Sequence, residues 1–277
     1  MFLHSWHPIA IALHLGGLQI HYYGLLLAVS ALVGFWITKA LLRRYQLPDT
    51  IAYDLLLLLL FFGFLGARLY HVINEWGFYQ QYPAEIFKIW NGGLALHGGI
   101  IAGALAMWAY TRIRKINFWL LADIIAPGLA LAQVIGRWGN YFNQELFGRP
   151  TALPWGLPID LANRPASYRQ FEYFHPTFLY ESIGLIIIFI ILMWWHWRRR
   201  ASLPTSDWSR QPGQGQIALI YVVLYSVLRV VMEWLRIDST PVLLGIRLPI
   251  IVSLILIMAA VITWLMLRRR IIYARTT

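Results

Sequence analysis

The sequence predicts an all-α polytopic membrane protein with about seven transmembrane helices. Of its 277 residues, 59% are hydrophobic and only 13% are charged, whereas about a quarter of the residues in a soluble protein are charged. The mean hydropathy is +0.59. The apolar residues fall into runs close to the length of about 20 residues that crosses the hydrocarbon core of a bilayer. We therefore expect the lipid bilayer to surround most of the chain.

Seven apolar segments are candidates for spanning helices, and the third of them is short. In chain order they cover residues 21–42, 53–72, 94–111, 119–136, 176–195, 217–235 and 249–267. The longest segment between two spans, 137–175, is rich in Pro, Gly and Asn and is too polar to span. We expect residues 1–277 to form a single membrane-embedded domain, in which residues 141–175 are inserted as a small periplasmic head.

The distribution of basic residues predicts the orientation of the spans. If the N-terminus is outside, fourteen of the 23 Lys and Arg residues fall on the cytoplasmic side, seven fall on the outer side and two lie within spans. Because Lys and Arg are enriched in cytoplasmic loops, we expect the N-terminus outside and the C-terminus in the cytoplasm. The formal net charge of +11 comes from basic blocks between apolar runs, so we expect no nucleic-acid partner.

The absence of certain residues and motifs excludes several kinds of chemistry. The sequence has no Cys, so it has no disulfide, no thiolate metal site and no Cys nucleophile of its own. It contains no HExxH or DxD motif, and we expect neither a metal nor another cofactor. The N-terminus lacks a basic region and a small-residue cleavage site, so we expect no cleavable signal peptide. No internal repeat indicates an inverted-repeat transporter.

With this orientation, six spans place polar side chains at one level, in the outer half of the membrane. These side chains are Tyr22, Tyr23, Arg68, His71, His97, Arg137, His175, Tyr180, Glu181, Tyr225, Arg229, Glu233 and Arg236. Four of them, from Tyr225 to Arg236, fall within an arc of about 80° on the sixth span. Because charged side chains inside spans are costly and mark functional sites by default, this face must look at a polar cavity or ligand. A self-neutralising i, i+4 pair of Arg229 and Glu233 is the structural alternative.

An outward-facing cavity with several arginines suits an anionic lipid headgroup. Arg stays charged when partly desolvated and binds phosphate oxygens through two N–H groups, and Arg137 and Arg229 are the best candidates for such a clamp. His97, which lies among four glycines, is a candidate to accept a proton from a nucleophile near neutral pH. The groups that can donate hydrogen bonds or orient the headgroup are Tyr23, Tyr225, Asn140, Asn143 and Glu145. The constellation indicates a lipid-modifying site.

Two charged residues within predicted spans, Asp123 and Arg68, are not among the candidates for this site. Asp123 is near the inner end of the fourth span, where we expect a structural partner or a charge at a helix start. Arg68 is in the second span, and the sequence leaves its role open.

Three other functions are compatible with a polar cavity in a membrane protein. A transporter or channel requires polar residues through the whole depth of the membrane, whereas here they concentrate in the outer half. A non-enzymatic lipid-binding scaffold has no need for the combination of His, Arg and Tyr. A phosphotransferase of the CDP-alcohol type needs clustered metal-binding Asp residues inside the membrane, and the sequence has no such cluster.

Five motifs follow one another along nearly the whole chain. They are HYYG (21–24), GGLALHGGIIAG (92–103), GRWGNYFNQELFG (136–148), HPTFLYE (175–181) and YSVLRVVMEWLR (225–236). In this order they resemble motifs of the bacterial prolipoprotein diacylglyceryl transferases, and GRWGNYFNQELFG is similar to the signature of that family. The sequence departs from the family pattern at Phe178, where Gln is common, at Ser226, where Gly is common, and at Ala95-Leu96, where Ser-Phe is frequent. None of these departures removes a charged candidate.

The resemblance implies a reaction. Members of this family transfer the sn-1,2-diacylglyceryl group from phosphatidylglycerol to the lipobox cysteine of a prolipoprotein signal peptide, which forms a thioether and releases glycerol phosphate. This alkyl transfer is the first step of bacterial lipoprotein maturation. It accounts for the missing Cys, because the sulfur belongs to the substrate. The resemblance also implies a multi-pass protein of the bacterial inner membrane, with its active site towards the periplasmic half.

The resemblance and the chemistry of the residues together predict the site. The predicted catalytic residues are His97, Arg137, Arg229 and Tyr225. The predicted substrate-binding residues are Arg137, Tyr23, Asn140, Asn143, Glu145, Gly148, Glu233 and Arg236. Arginines suit the leaving phosphate, whose negative charge grows in the transition state. His97 suits the base, because a thiol of ordinary pKa near 8.5 needs help to ionise at neutral pH.

Overall fold

The structure is a computed structural model that describes residues 6–15, 18–199 and 215–276. Within these residues it contains seven long α-helices, each of which corresponds to one predicted span, so the predicted fold class is confirmed. They are α1 (Tyr22–Arg44), α2 (Thr50–Asn74), α3 (Leu96–Arg114), α4 (Phe118–Phe142), α5 (Thr177–Arg198), α6 (Gln216–Glu233) and α7 (Leu248–Thr276). All of these except α3 are long and apolar enough to cross a membrane.

Short elements that the sequence analysis did not predict lie between the helices. The strands are β1 (Ile11–Leu15), β2 (Leu18–His21), β3 (Leu157–Pro158), β4 (Tyr173–Phe174), β5 (Val242–Leu243) and β6 (Ile246–Arg247), and the short helical turns are Trp76–Tyr79, Pro83–Phe87, Ile89–Asn91, Leu161–Asn163 and Ala166–Tyr168. The strands form three antiparallel pairs, β1 with β2, β3 with β4 and β5 with β6. The β5–β6 hairpin connects α6 to α7, so it carries Arg247 to the start of the last helix.

Among the helix ends that differ from the predicted ends, two concern site residues. The fourth span was predicted to end at residue 136, but α4 continues to Phe142, so that Arg137 and Asn140 lie on helical turns. The sixth span was predicted to reach residue 235, but α6 ends at Glu233. Arg236 therefore lies in the turn that follows the helix, where its N–H donates to the carbonyl of Met232 at 3.2 Å.

The described chain divides into two compact units. The first contains residues 6–38, 122–199 and 215–276, and the second contains residues 39–121. The prediction of one membrane-embedded domain with a periplasmic head at 141–175 stays a prediction, as does the orientation in the membrane.

In the first unit, α4, α5 and α6 pack through a hydrophobic core. Its members include Ala130, Leu185 and Ile217, which are fully buried. At one end of this core, Asp123 accepts hydrogen bonds from the backbone N–H of Ala218 at 2.8 Å and from Arg199 Nη1 at 2.9 Å. Asp123 therefore accepts a hydrogen bond from a free N–H group in the first turn of α6 and neutralises the charge of Arg199, which is a structural role.

A second, smaller core lies in the segment between α4 and α5. It contains Phe147, Leu157, Ile159 and Phe174, all buried, together with Tyr141 at the end of α4. Phe178, one of the departures from the family pattern, packs with its ring centroid 4.9 Å from that of Tyr141. An aromatic side chain at this position extends the core instead of supplying a hydrogen bond.

In the second unit, α2 and α3 pack closely against each other. A Cβ atom at Gly98 would clash with the carbonyl oxygen of Gly66 on the facing helix. Only glycine at these positions lets the two backbones approach so closely, as is common between membrane helices. The contact anchors the first turn of α3, which carries His97.

Candidate active site

A cluster of ion pairs lies in the first unit, between the end of α4 and the start of α5. Its centre is Glu181, in the second turn of α5, whose side chain is only 5% exposed. Arg137 Nε lies 2.5 Å from Glu181 Oε2. Arg236 Nη1 and Arg229 Nη1 lie 3.4 and 3.7 Å from Oε1. One buried carboxylate therefore holds three arginines that come from different segments of the chain.

A second carboxylate, Glu233 at the end of α6, is fully buried and extends the cluster. Arg229 Nη2 lies 3.0 Å from its Oε2, and Arg247 Nε lies 2.8 Å from its Oε1. Among the described residues, neither contact has the geometry of a hydrogen bond, so charge holds these groups together. The i, i+4 pair of Arg229 and Glu233 is thus real, but both residues also pair with partners on other segments.

Asp238 and Arg236, which lie beyond the end of α6, form the third part of the cluster. Arg236 Nε donates to Asp238 Oδ1 at 2.7 Å. Burial lowers the pKa of Arg236, but the hydrogen bond and charge of Asp238 outweigh it and hold that pKa above its ordinary value. Burial raises the pKa of Asp238, but Arg236 and Arg247 outweigh it and bring that pKa below its ordinary value. Both groups therefore stay charged near neutral pH.

The direct ion pairs of the cluster contain one more arginine than carboxylates. Its four arginines face three carboxylates: Arg137, Arg229, Arg236 and Arg247 against Glu181, Glu233 and Asp238. Arg236 is only 3% exposed, whereas Arg137 and Arg229 keep 18% and 17% of their side-chain surface. Arg247, at 26%, is also partly exposed, so the arginines of the cluster that remain accessible are Arg137, Arg229 and Arg247.

Arg137 continues the network towards the loop after α4. Its Nη1 donates to Asn140 Oδ1 at 3.4 Å, and Asn140 Nδ2 donates to Glu145 Oε1 at 2.7 Å. The ring of Tyr23, at the start of α1, packs against Gly139, and the Tyr23 hydroxyl lies within electrostatic range of both Glu145 and Arg137. The motif GRWGNYFNQELFG thus supplies three hydrogen-bonded groups, in which the amide of Asn140 links the guanidinium of Arg137 to the carboxylate of Glu145.

Gly148 joins the end of this motif to the turn after α6. It forms an antiparallel bridge with Arg236, and its N–H donates to the carbonyl of His175 at 2.9 Å. A Cβ atom at this position would lie 2.8 Å from the Cβ of His175, so only glycine allows the three segments to meet. Gly148 therefore positions Arg236 through the backbone.

Two predicted site residues stand beside the cluster. Tyr225 lies on α6 one turn before Arg229, with which it interacts electrostatically, and its ring stacks near that of Tyr221 at a centroid distance of 5.9 Å. Asn143 follows the end of α4 and lines a cavity of about 550 Å³.

His97 belongs to the second unit. It is the second residue of α3, it is exposed, and its ring centroid lies 6.2 Å from that of Tyr70 on α2. Its geometry towards the arginine cluster stays a prediction.

Arg68, whose role the sequence left open, clamps the loop that leads into α3. Its guanidinium donates four hydrogen bonds of 2.5 to 2.9 Å to backbone carbonyls, those of Glu85, Ile86, Gly92 and Gly93. The side chain is buried. These four bonds occupy most of the N–H groups of the guanidinium. Arg68 therefore stabilises this loop and does not bind a ligand.

Three members of the cluster were not among the predicted site residues: Glu181, Asp238 and Arg247. Glu181 had been placed with the polar side chains of the outer half, but without a role. A charged residue within a predicted span indicates a functional site, and by this criterion Glu181 could have been predicted as readily as Arg229. Arg247 and Asp238 lie in the loop between two spans, where no such signal exists.

Comparison with known proteins identifies the family. The model of the family described as prolipoprotein diacylglyceryl transferase matches residues 10–266. The chain belongs to this family. Its resemblance to the prolipoprotein diacylglyceryl transferases, predicted from five motifs, is thereby confirmed, and so is its membership of a transferase class.

Several relatives in the prolipoprotein diacylglyceryl transferase family are similar over most of their length. Each is called phosphatidylglycerol–prolipoprotein diacylglyceryl transferase. The relative from Trichormus variabilis is 41% identical over 266 residues, which are 95% of this chain and 92% of the relative. The relative from Acaryochloris marina is 42% identical over 260 residues, 92% of this chain and 90% of the relative. The relative from Synechocystis is 38% identical over 269 residues, 95% of this chain and 91% of the relative.

Proposed function

We propose that this protein transfers the sn-1,2-diacylglyceryl group of phosphatidylglycerol to the lipobox cysteine of a prolipoprotein, as the first step of lipoprotein maturation. The observation that carries the proposal is the buried arginine cluster with one uncompensated positive charge. The names of the relatives support the donor and the acceptor class. The family resemblance supports a location in the bacterial inner membrane, and the distribution of Lys and Arg supports an orientation with the site towards the periplasm.

The donor phosphate binds at Arg137 and Arg229. Phosphatidylglycerol carries one negative charge at its phosphate diester, which matches the excess charge of the cluster. The two guanidinium groups are held by Glu181 before the substrate arrives, so little reorganisation is needed when the phosphate enters. Such preorganised donors stabilise charge that develops in the transition state.

In the reaction, a sulfur–carbon bond forms and a carbon–oxygen bond breaks. The thiolate of the acceptor cysteine attacks the glyceryl carbon that is bonded to the phosphate oxygen. The phosphate oxygen keeps the electron pair of the broken bond and leaves as glycerol phosphate, a monoester with greater negative charge than the diester. Arg137 and Arg229 stabilise this added charge, and His97 accepts the thiol proton.

The remaining predicted residues orient the donor. Asn140 and Glu145 fix one edge of Arg137, and Tyr23 and Tyr225 donate hydroxyl hydrogen bonds to the donor. Glu233 and Arg236 hold Arg229 and Glu181 in place. We assign no step to a metal or another cofactor.

A mass-spectrometric assay tests the proposal. Purified protein in micelles that contain phosphatidylglycerol should convert a lipobox peptide into a product heavier by one diacylglyceryl group. A peptide with Cys→Ser at the lipobox is the matched control and should remain unmodified. Equal modification of the Ser peptide would overturn the thioether mechanism. If the protein instead moves a solute across liposomes and modifies neither peptide, it is a transporter.

A further inference from the structure

A polar cavity adjoins the arginine cluster at Glu145 and Asp238, and the reaction described so far does not use the space that it encloses. Its volume is about 550 Å³, within the range of ligand-binding cavities. It is lined by residues 143–147, by Asn163 and Pro165 and by residues 237–239. All of these lie outside the long helices, in segments that the arginine cluster ties together through Asp238 and Glu145.

We infer that this cavity binds the polypeptide segment that follows the acceptor cysteine. The inference rests on the proposed function, which brings a prolipoprotein to this site with its cysteine at the donor phosphate. The chain of the acceptor continues beyond the cysteine away from the bilayer. The cavity lies beyond the ends of α4 and α6, and its lining residue Asp238 pairs with Arg236, so it offers this continuation a site next to the arginines.

The side chains of the cavity fit a peptide. Asn143 and Asn163 make no side-chain hydrogen bond to other described residues, and neither does Ser239. A carboxamide both donates and accepts hydrogen bonds, so it matches the N–H and C=O groups of a peptide backbone. Leu146, Phe147, Pro165 and Ile237 supply an apolar surface for side chains.

Hydrogen bonds within the protein hold the wall of the cavity in place before any ligand binds. Gln144 is buried, and its Nε2 donates to the carbonyl of Pro8 and to Asp160 Oδ2, both at 2.7 Å. Its Oε1 accepts from the backbone N–H of Asp160 at 2.7 Å. Gln144 and Leu146 both have left-handed backbone conformations, with φ of 51° and 56°. Such conformations cost free energy in non-glycine residues and concentrate at functional sites.

The charge of the lining argues against a second anion. No Lys or Arg is among the lining residues, and the two carboxylates present are Glu145 and Asp238. The glycerol of phosphatidylglycerol is the competing occupant, because it is also neutral and rich in hydroxyl groups. A cavity of this volume with an apolar surface exceeds what a three-carbon polyol needs, which favours a peptide of several residues.

Two acceptor peptides test the inference. Both carry the same signal sequence and lipobox; the short one ends at the residue after the cysteine, and the long one continues for six neutral residues. The KM of the wild-type protein should be about tenfold lower for the long peptide, the effect of about two hydrogen bonds. The double variant Asn163→Ala/Ser239→Ala should raise the KM for the long peptide to that of the short one. Transfer to the short peptide reports whether the variant is folded.

Ser167→Ala is the matched control, because Ser167 is exposed in the same loop but does not line the cavity. It should leave both KM values unchanged. Equal KM values for the two peptides with the wild-type protein would overturn the inference. A double variant that raises the KM for phosphatidylglycerol equally with both peptides would assign the cavity to the glycerol and also overturn it. If the wild-type protein modifies neither peptide, the proposed function has failed instead.

Discussion

Glu181 is the carboxylate on which the geometry of the arginine cluster depends, and Glu181→Gln tests that dependence. The substitution keeps the shape of the side chain and removes its charge. Three guanidinium groups, those of Arg137, Arg229 and Arg236, lie 2.5 to 3.7 Å from its carboxylate oxygens. Without it, the excess positive charge of the cluster rises from one to two.

The expected magnitude follows from the distances. Two unit charges 3.5 Å apart attract each other by roughly 5 kcal/mol at an effective dielectric constant of about 20. The cost of desolvation offsets most of this attraction, but removal of one partner from a buried ion pair still costs about 3–5 kcal/mol, because the other charge is left behind. The free energy of unfolding should fall by an amount of this order. Displacement of Arg137 by about 1 Å should lower kcat by roughly 100-fold.

Thermal unfolding in detergent and kinetics of peptide modification measure the two effects. Because the arginines lose a competing carboxylate, phosphatidylglycerol should bind Glu181→Gln at least as tightly, so kcat should fall while KM does not rise. Glu172→Gln is the matched control, since Glu172 is an exposed carboxylate in the same unit. A folded Glu181→Gln variant with the kcat of the wild-type protein would refute the role assigned to Glu181. An increase of KM with unchanged kcat would show that Glu181 contributes only to binding.

Four further substitutions test other parts of the site. Arg137→Lys and Arg229→Lys keep the charge but lose the two-point contact with phosphate, so each should lower kcat by about 10²-fold or more, and wild-type kcat in both would remove the clamp. His97→Asn should lower kcat at pH 7 by about 10²-fold or more, and the loss should shrink above about pH 8.5, where the acceptor thiol ionises unaided; equal rates at pH 7 would assign the proton to another group. The pKa of Asp238 is lowered by folding, so its stabilisation is present above about pH 4 and disappears as the pH falls through its folded pKa. Asp238→Asn should therefore lower the Tm more at pH 7 than at pH 3, and an equal loss at both values would contradict the ion-pair assignment.

The sequence predicted which helices carry the polar residues, but it did not predict the partners of those residues. Apolar runs and basic loops predicted seven helices and a common level for Arg137, Glu181 and Arg229. Whether these side chains meet depends on the rotation of α4, α5 and α6 about their own axes, which no single segment encodes. Glu181 was therefore predicted to lie at the level of Arg137 and Arg229, but without its role as the centre of the cluster.

The helix ends were mispredicted for a related reason. The apolar run of α4 stops at residue 136, but polar side chains at its end are tolerated because Asn140 and Glu181 satisfy Arg137. Backbone groups in or near a membrane favour continued helix wherever the side chains have partners. The helix α6 instead ends earlier than predicted. Arg236 was expected on the same helical face as Tyr225 and Arg229, but it contacts Glu181 from the turn that follows Glu233.

The position of Arg247 in the chain sets the order in which the site becomes functional during synthesis. Arg137, Glu181, Arg229, Glu233 and Asp238 all leave the ribosome before Arg247, which precedes α7. Until Arg247 pairs with Glu233, the cluster has as many carboxylates as arginines and is neutral. Without the last hairpin, the three arginines and three carboxylates of the cluster balance, so its excess positive charge depends on Arg247.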